Sequence, residues 1–545
     1  MSIFVNTLRS MFANFSAIVL IATMFVGTCR LSADELKVDF LFPAGASSGA
    51  DTTITAKGTF DNWPVDVWSS DPKLLVTAAE KKGEFLAKVP ADLSPGVYWL
   101  RIHDIAKASR LLPFIVGGIT ESREQEPNNS ISDAKELTLP VVLNGQLSKS
   151  GEVDCSRVKL KKGQTLIVSV RANSILKSPM DGVIQLCDSK GFVLAQQDDE
   201  KGLDPQLVHS ITEDGDYHIR IFAFPEKPNS SIQFSGAETY VYRMTATVGP
   251  FIDHVMPLAL PKNSESQVQL HGWNLQQKQF LVNGKGDDWL TLGRQGVAGD
   301  FSLPMVEQGS VVIDNNKDPI EATIPIDVCG TIATGGDEHS IVFEAKKSEK
   351  LNIKVRSQVL GFVLDPVITI YSMDGTKLKE LDDASKQRDP ELVWTVPSDG
   401  KFRVGVKDLF GDAGLRFSYR LTVSRSIPDF QVGVKTDVFE FGSDGTLKIP
   451  VTLQRLAKFD QAITVQCVGL PDGIEAKPVE LASATDANKE LELILERKGQ
   501  TEGLSSPFRI RATSADGRVH EAEFGKRTDR GPHSFLWIRA SPTKK

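Results

Sequence analysis

The sequence predicts an all-β protein, a series of tandem β-sandwiches arranged as beads on a chain. Three observations carry that expectation. Apolar runs of four to eight residues recur along the chain, broken at short intervals by glycine (43) and proline (28), which is how short strands joined by turns look. After residue 30 no long segment repeats its apolar positions with the period of an amphipathic helix. And LDPQLVHSITEDGDYHIRI at 203–221 returns as RDPELVWTVPSDGKFRVGV at 388–406.

The echo extends in both directions. Gly145 and Gly330, Arg171 and Arg356, and Gly215 and Gly400 each stand 185 residues apart (330 − 145, 356 − 171, 400 − 215). Asp181 and Asp365, like the pairs Asp198-Asp199 and Asp382-Asp383, stand 184 apart (365 − 181, 382 − 198). A shared register with single-residue slips is a duplicated domain. The copies should therefore superpose, Asp181 on Asp365 and Gly215 on Gly400.

A chain of 545 residues is too long for one core, so several domains of ordinary size are expected. An apolar fraction of 41% against 24% charged is a normal globular balance. The net charge of −8 leaves no basic footprint, which argues against nucleic acid as a partner.

Residues 1–33 read as a signal peptide. Arg9 precedes the apolar run Phe15 to Val26, and small residues lead to Leu31-Ser32-Ala33. That run is short for a bilayer span and right for a secretory signal, cleavage after Ala33 fitting the small-residue preference, with an uncleaved anchor as the rival reading. Val26-Gly27-Thr28-Cys29 is a poor lipoprotein box, because threonine stands where glycine or alanine is usual, so lipid anchoring at Cys29 is not expected. No second apolar stretch follows, so no membrane span is expected after the signal. The chain is expected to be secreted, periplasmic or at the cell surface.

Four cysteines follow the signal: Cys155, Cys187, Cys329 and Cys467. Cys155 and Cys187 share one repeat, but the second copy has no cysteine at either counterpart, so the fold does not require a bridge. Buried thiols are favoured, and pairing of these two stays open. The spacings offer no zinc signature.

Residues 36–117 hold short alternating strands at the scale of an immunoglobulin-like sandwich. The polar hinge ITESREQEPNNSISDA then opens the first repeat, 124–248. Its Glu124-Gln125-Glu126-Pro127-Asn128-Asn129, Gly151-Glu152-Val153-Asp154, Asp198-Asp199 and Asp214-Gly215-Asp216-Tyr217 together resemble the bacterial pre-peptidase C-terminal domain. That resemblance implies a jelly-roll-like sandwich of the kind found beside secreted proteases and in surface proteins. In residues 249–325, Val268 to Leu275 resembles the glycine-x-asparagine turn of an IPT-type immunoglobulin-like domain. Residues 326–425 form the second repeat. Its opening EATIPIDVCG lacks the Glu-Pro-Asn motif, and Gly336-Asp337-Glu338-His339 replaces Gly-Glu-Val-Asp. Residues 426–545 close the chain, and their Gly469-to-Ile474 turn resembles immunoglobulin-like modules of large exported bacterial proteins.

Catalytic chemistry finds little support in the residues. Gly45-Ala46-Ser47-Ser48-Gly49 matches a nucleophile-elbow pattern, but that mechanism needs a helix after the serine, and TTITAKG reads as another strand. None of the eight histidines lies in a metal-binding helix motif. His218, whose counterpart is Arg403, is expected on a solvated strand face. Adjacent carboxylates such as Asp198-Asp199 and Asp382-Asp383 point to opposite faces of an extended chain, so turn-forming use is favoured over acid–base work on a sugar. Tyr217, Tyr240, Tyr242, Trp63, Trp68 and Trp99 are expected to fill cores rather than stack on a polymer.

The best site is a calcium one, in the first repeat only. Calcium takes six to eight oxygens from carboxylates, amides and carbonyls. Glu124, Glu126, Asn128 and Asn129 supply four such side chains within six residues. In the calcium-binding relatives from collagenases this loop and the aspartates of the following turn share an ion. The resemblance therefore adds Asp154 and Glu152, with the departure that glutamate at 152 stands where the family usually has aspartate. An acidic hydrated linker is the rival reading. The resemblance implies a non-catalytic binding or scaffold protein whose partner is an extracellular polymer or surface protein, peptide or polysaccharide. The alternative is an accessory, substrate-targeting subunit of a secreted hydrolase.

Overall fold

The computed structural model describes residues 35–227, 233–284, 289–307, 309–313, 319–383, 388–426, 428–483, 488–498, 502–525 and 534–542. The signal peptide and Cys29 lie outside them. The chain is a multi-domain all-β protein whose strands form successive pairs of packed sheets. Among the described residues no helix is long and apolar enough to cross a membrane.

The first domain packs two four-stranded sheets over Ile54, Phe85, Leu100 and Phe114. Trp63 completes this core, edge-on to Phe60 and Phe85. The last domain is built likewise around Phe430, Ile449, Leu493 and Ile538. Between the repeats lies a smaller unit of two three-stranded sheets.

The two repeats have one topology. In the first, one sheet runs Lys135–Glu136, Asp154–Leu160, Gly215–Pro225, Met180–Cys187, Val193–Gln197. In the second it runs Ile320–Glu321, Glu338–Ala345, Gly400–Asp408, Pro366–Ser372, Lys377–Leu381. The facing sheets also match, from Gln206–Ser210 to Glu121–Arg123 and from Glu391–Thr395 to Val311–Val312. Register matches too: Gly215 opposes Leu160 as Gly400 opposes Ala345, and Arg171 opposes Arg243 as Arg356 opposes Arg420. Asp181 faces Phe224, and the Asp365 carbonyl accepts the Leu409 amide at the corresponding place. Each repeat starts earlier than its sequence boundary suggested, at Glu121 rather than 124 and at Val311 rather than 326. These short strands add to the sheet in parallel, a pairing that no local hairpin signal announces.

The Asp-Pro of the echo explains itself here. The buried Asp204 carboxylate accepts the amides of Ala172, Asn173 and Ser174 at 3.1, 2.7 and 3.2 Å. Asp389 does the same for Ser357, Gln358 and Val359 at 3.0, 2.9 and 3.1 Å. The Asp-Gly is a second cap: Asp214 accepts the Lys162 amide at 2.7 Å and Asp399 that of Lys347 at 2.6 Å. Charge-assisted bonds to otherwise orphaned amides are worth more than neutral ones, so both positions must stay acidic for the turns to close.

The sandwiches follow one another along the chain, but their junctions are buried. Asp253, in the middle unit, receives Arg416 of the second repeat at 2.6 Å, and Gln206 of the first at 2.8 Å. Lys201 of the first repeat lies 3.6 Å away. Burial alone would raise the Asp253 carboxyl, yet Lys201 and Arg416 hold it well below the ordinary carboxylate range. Arg171 clasps Asp300 with two bonds of 2.8 and 2.7 Å across the same junction. Asn274, at φ 56°, donates to the carbonyls of Thr165, Val248 and Gly249. The ends of the chain also meet: buried Arg101 pairs with Asp437 at 2.6 Å, and Trp68 packs on Phe535 and Trp537.

His218 does not face solvent. It is 5% exposed, with Nδ1 3.3 Å from the Asp188 carbonyl oxygen. The reason is that Gly215–Pro225 is a central strand paired on both sides, and the turn after Met180–Cys187 brings the Asp188 carbonyl against the ring. The four described cysteines are free thiols. Cys155 and Cys187 sit on the two strands that flank Gly215–Pro225, opposite Arg220 and His218. Two strand spacings, about 9–10 Å, exceed the reach of a disulfide.

Candidate metal centre

The entrance loop of the first repeat is pinned on both sides. The Glu124 amide donates to the Asn144 carbonyl at 3.0 Å, which ends the added strand and turns the side chain toward the sandwich mouth. The Asn128 carbonyl accepts the Cys155 amide at 2.8 Å, tying the loop to the start of the strand Asp154–Leu160. These ties bring one carboxylate oxygen each from Glu124, Glu126 and Asp154 within 4.8 Å of one another.

Two oxygens at this site lack partners among the described residues. Asn128 and Asp154 are each 3% exposed, and their Oδ1 atoms are buried without a hydrogen bond. Asp154 Oδ2 is engaged, accepting the Tyr242 hydroxyl at 2.7 Å. Burial pushes the Glu124 carboxyl well above the usual carboxylate range, and the Asp154 charge adds to it. Asp154 is raised too, by burial first; the Tyr242 hydroxyl works against that and the Glu152 and Glu126 charges with it. Burying like charges together is costly unless something positive joins them. The donor set, carboxylate and amide oxygens, is the one calcium prefers.

The other sequence-named residues sit beside this cluster. Asn129 donates to Glu126 Oε2 at 3.3 Å, and the Asn128 amide donates to the same oxygen at 3.0 Å. Glu152 accepts the Lys149 amide at 3.1 Å, with the Lys149 ammonium 3.8 Å away, and is not one of the three converging carboxylates. Sequence reasoning missed Tyr242 as a site residue and Gly145 as its support. A Cβ on Gly145 would lie 2.2 Å from the Tyr242 ring and 2.8 Å from Glu124 Oε2.

The second repeat shows the same mouth refilled. The Ile313 amide donates to Cys329 as that of Glu124 does to Asn144, and Ile313 is part of the core. His339 opposes Val406 as Asp154 opposes Ile221. Its Nδ1 lies 2.9 Å from the hydroxyl of Tyr419, the counterpart of Tyr242. A hydrocarbon and an imidazole thus stand where the first copy has two carboxylates.

The remaining candidates are placed as follows. Ser47 ends a strand and donates to the Ile119 carbonyl at 2.9 Å, and the next element is the strand Asp51–Gly58. Asp198 and Asp382 each accept the amide of the aspartate that follows, at 3.0 and 2.8 Å. Tyr217, Tyr240 and Tyr242 are buried in the first repeat's core.

No protein-family profile matches the chain, and no curated protein matches it. Among solved structures, the pre-peptidase C-terminal domain of a Bacillus anthracis collagenase aligns over 100% of its length with 21% of this chain, at 12% identity and a TM-score of 0.17. Escherichia coli alpha-2-macroglobulin aligns over 47% of its length with 94% of this chain, at 8% identity and a TM-score of 0.15. A Bacteroides ovatus mixed-linkage glucan utilization locus protein, SGBP-B, in complex with mixed-linkage heptasaccharide, aligns over 74% of its length with 70% of this chain, at 10% identity and a TM-score of 0.13. At such scores the matches say nothing of this chain's activity.

Proposed function

We propose that the chain is an exported, non-catalytic binding or scaffold protein that recognises an extracellular polymer or surface protein, with calcium held at the mouth of its first pre-peptidase-like repeat. The observation that carries the reading is the convergence of exposed Glu126, half-buried Glu124 and buried Asp154 beside the unpartnered oxygens of Asn128 and Asp154. Glu124, Glu126, Asp154 and the Asn128 amide oxygen would hold the ion, whose part is to neutralise the carboxylates and fix the loop. The loop continues directly from Glu121–Arg123, whose Glu121 binds buried Arg243 at 2.6 and 2.8 Å. Fixing it therefore fixes the approach of the first domain to the repeat.

The deciding experiment is a pull-down of the mature chain against cell-envelope and matrix fractions, with calcium and with chelator. Calcium-dependent recovery of a polymer or surface protein supports the reading. Recovery of nothing in either condition, or a hydrolytic activity intrinsic to the purified chain, overturns it.

A further inference from the structure

The strand Val193–Gln197 ends a five-stranded sheet: Met180–Cys187 pairs with one side and, among the described residues, no strand pairs with the other. An edge strand's open row of N–H and C=O groups is a template for another strand, and proteins guard such edges with charge, above all lysine. The duplicated domain displays the guard. Leu186 pairs with Ala195 as Ile370 pairs with Lys379. On that register Lys377, Lys379 and Glu380 of the second repeat stand where the first has Val193, Ala195 and Gln196. The first copy's strand carries no charge, and Phe192, Val193 and Leu194 are 68%, 48% and 45% exposed. A bulge interrupts both strands at the same place, so twist does not distinguish the two edges. Charge does.

We propose that this edge is a dimer interface, and that its occupant is the same strand of a second copy running antiparallel. Two-fold pairing about Ala195 sets Val193 against Gln197, Leu194 against Gln196 and Ala195 against itself, with no like charges opposed. Exposed Lys190 precedes the strand and exposed Asp198 and Asp199 follow it. An antiparallel second copy therefore brings each basic end to the other's acidic end. Asp188, at the basic end, is already engaged by the amides of Lys190 and Phe192 at 2.8 and 2.9 Å. The same operation on the second repeat sets Lys379 directly on Lys379, which is repulsive. A foreign peptide matches the first edge's charge order only by chance, whereas a second copy always does.

The test grafts one edge onto the other. The purified full chain should sediment as a dimer at micromolar concentration. The triple variant Val193→Lys, Ala195→Lys, Gln196→Glu should be monomeric and folded, with unchanged strand content by circular dichroism. Because Ala195 packs partly against the first repeat's core, the double variant Val193→Lys, Gln196→Glu, which leaves Ala195 in place, is measured beside it and should be monomeric too. In a second measurement, Ala195→Cys should give an interchain disulfide on mild oxidation, because residues facing each other across an antiparallel pair lie within disulfide reach. A monomeric wild-type chain, a graft that stays dimeric, or an Ala195→Cys chain that forms no interchain bond would each overturn the proposal.

Discussion

Replacing Asp154 by asparagine should remove the calcium response while leaving the calcium-free protein at least as stable. The Glu124 and Asp154 carboxylates offer oxygens within 4.8 Å, and two unit charges at that separation would repel by about 3.5 kcal/mol at an effective dielectric near 20, a cost the calcium-free site lessens by holding a proton. Asparagine keeps an acceptor for the Tyr242 hydroxyl and deletes the charge, so the calcium-free chain no longer has to hold a proton there to avoid repulsion. With calcium at about a hundred times its dissociation constant, the native loop gains about 2.7 kcal/mol, close to a hundred-fold in opening equilibrium. Amide hydrogen exchange on the whole chain reads this directly. Protection at 124–130 and 152–156 should rise by about two orders of magnitude on adding calcium, and 311–313 with 338–341 should not change. The pH dependence has a defined sign. Both carboxyls have native values raised above their unfolded ones, so the native state binds more protons. Stability of the calcium-free chain is then fully present below the unfolded values and is lost as pH rises through the native ones. Calcium should flatten that decline. A calcium response that survives Asp154→Asn, or equal protection of the second repeat, would show that the acidic loop is only a solvated linker.

Three further outcomes follow from the geometry. Asp204→Ala and Asp389→Ala should each destabilise their own repeat by about 2 kcal/mol or more, since three amides lose a charged acceptor; denaturant titration with exchange mapping would find the loss in the matching copy. Asp253→Ala strands Arg416 and Lys201 in a buried junction and should cost about 3–5 kcal/mol, seen as earlier and separated unfolding transitions in calorimetry. Gly145→Ala should abolish the calcium response by displacing Tyr242, whereas Gly330→Ala, whose Cβ meets His339 Nδ1 at 3.0 Å, should leave it intact; the same exchange experiment separates them.

The duplication was legible because it is written twice in one register, and the structure repeats it strand for strand. What the echo could not reveal was the reason for itself. Asp204 and Asp389 stand only as repeated letters in the sequence, yet each accepts three backbone amides. The acidic loop that opens the first repeat was legible because Glu124, Glu126, Asn128 and Asn129 lie within six residues. Tyr242 was not, since it reaches Asp154 only through pairing with Gly145 across the sheet. His218 misled for a related reason: alternation places a side chain on one face of a strand but cannot say whether that face is covered. The domain junctions were the least legible, because Asp253, Gln206 and Arg416 come from three units and share no spacing or motif.

The two copies act as controls for each other, and this separates fold from function more sharply than either alone. What both keep serves the sandwich: the caps Asp204 and Asp389, Asp214 and Asp399, the glycine–tyrosine approach of Gly145 and Gly330, the bulged edge strand. What differs marks where one copy has a task the other lacks. The mouth changes from carboxylates to Ile313 and His339, and the edge changes from neutral to lysine-guarded. Each change removes a cost in the second copy, buried like charge at the mouth and an open template at the edge. That the first copy bears both costs is the physical reason to look there for a cation and for a partner strand.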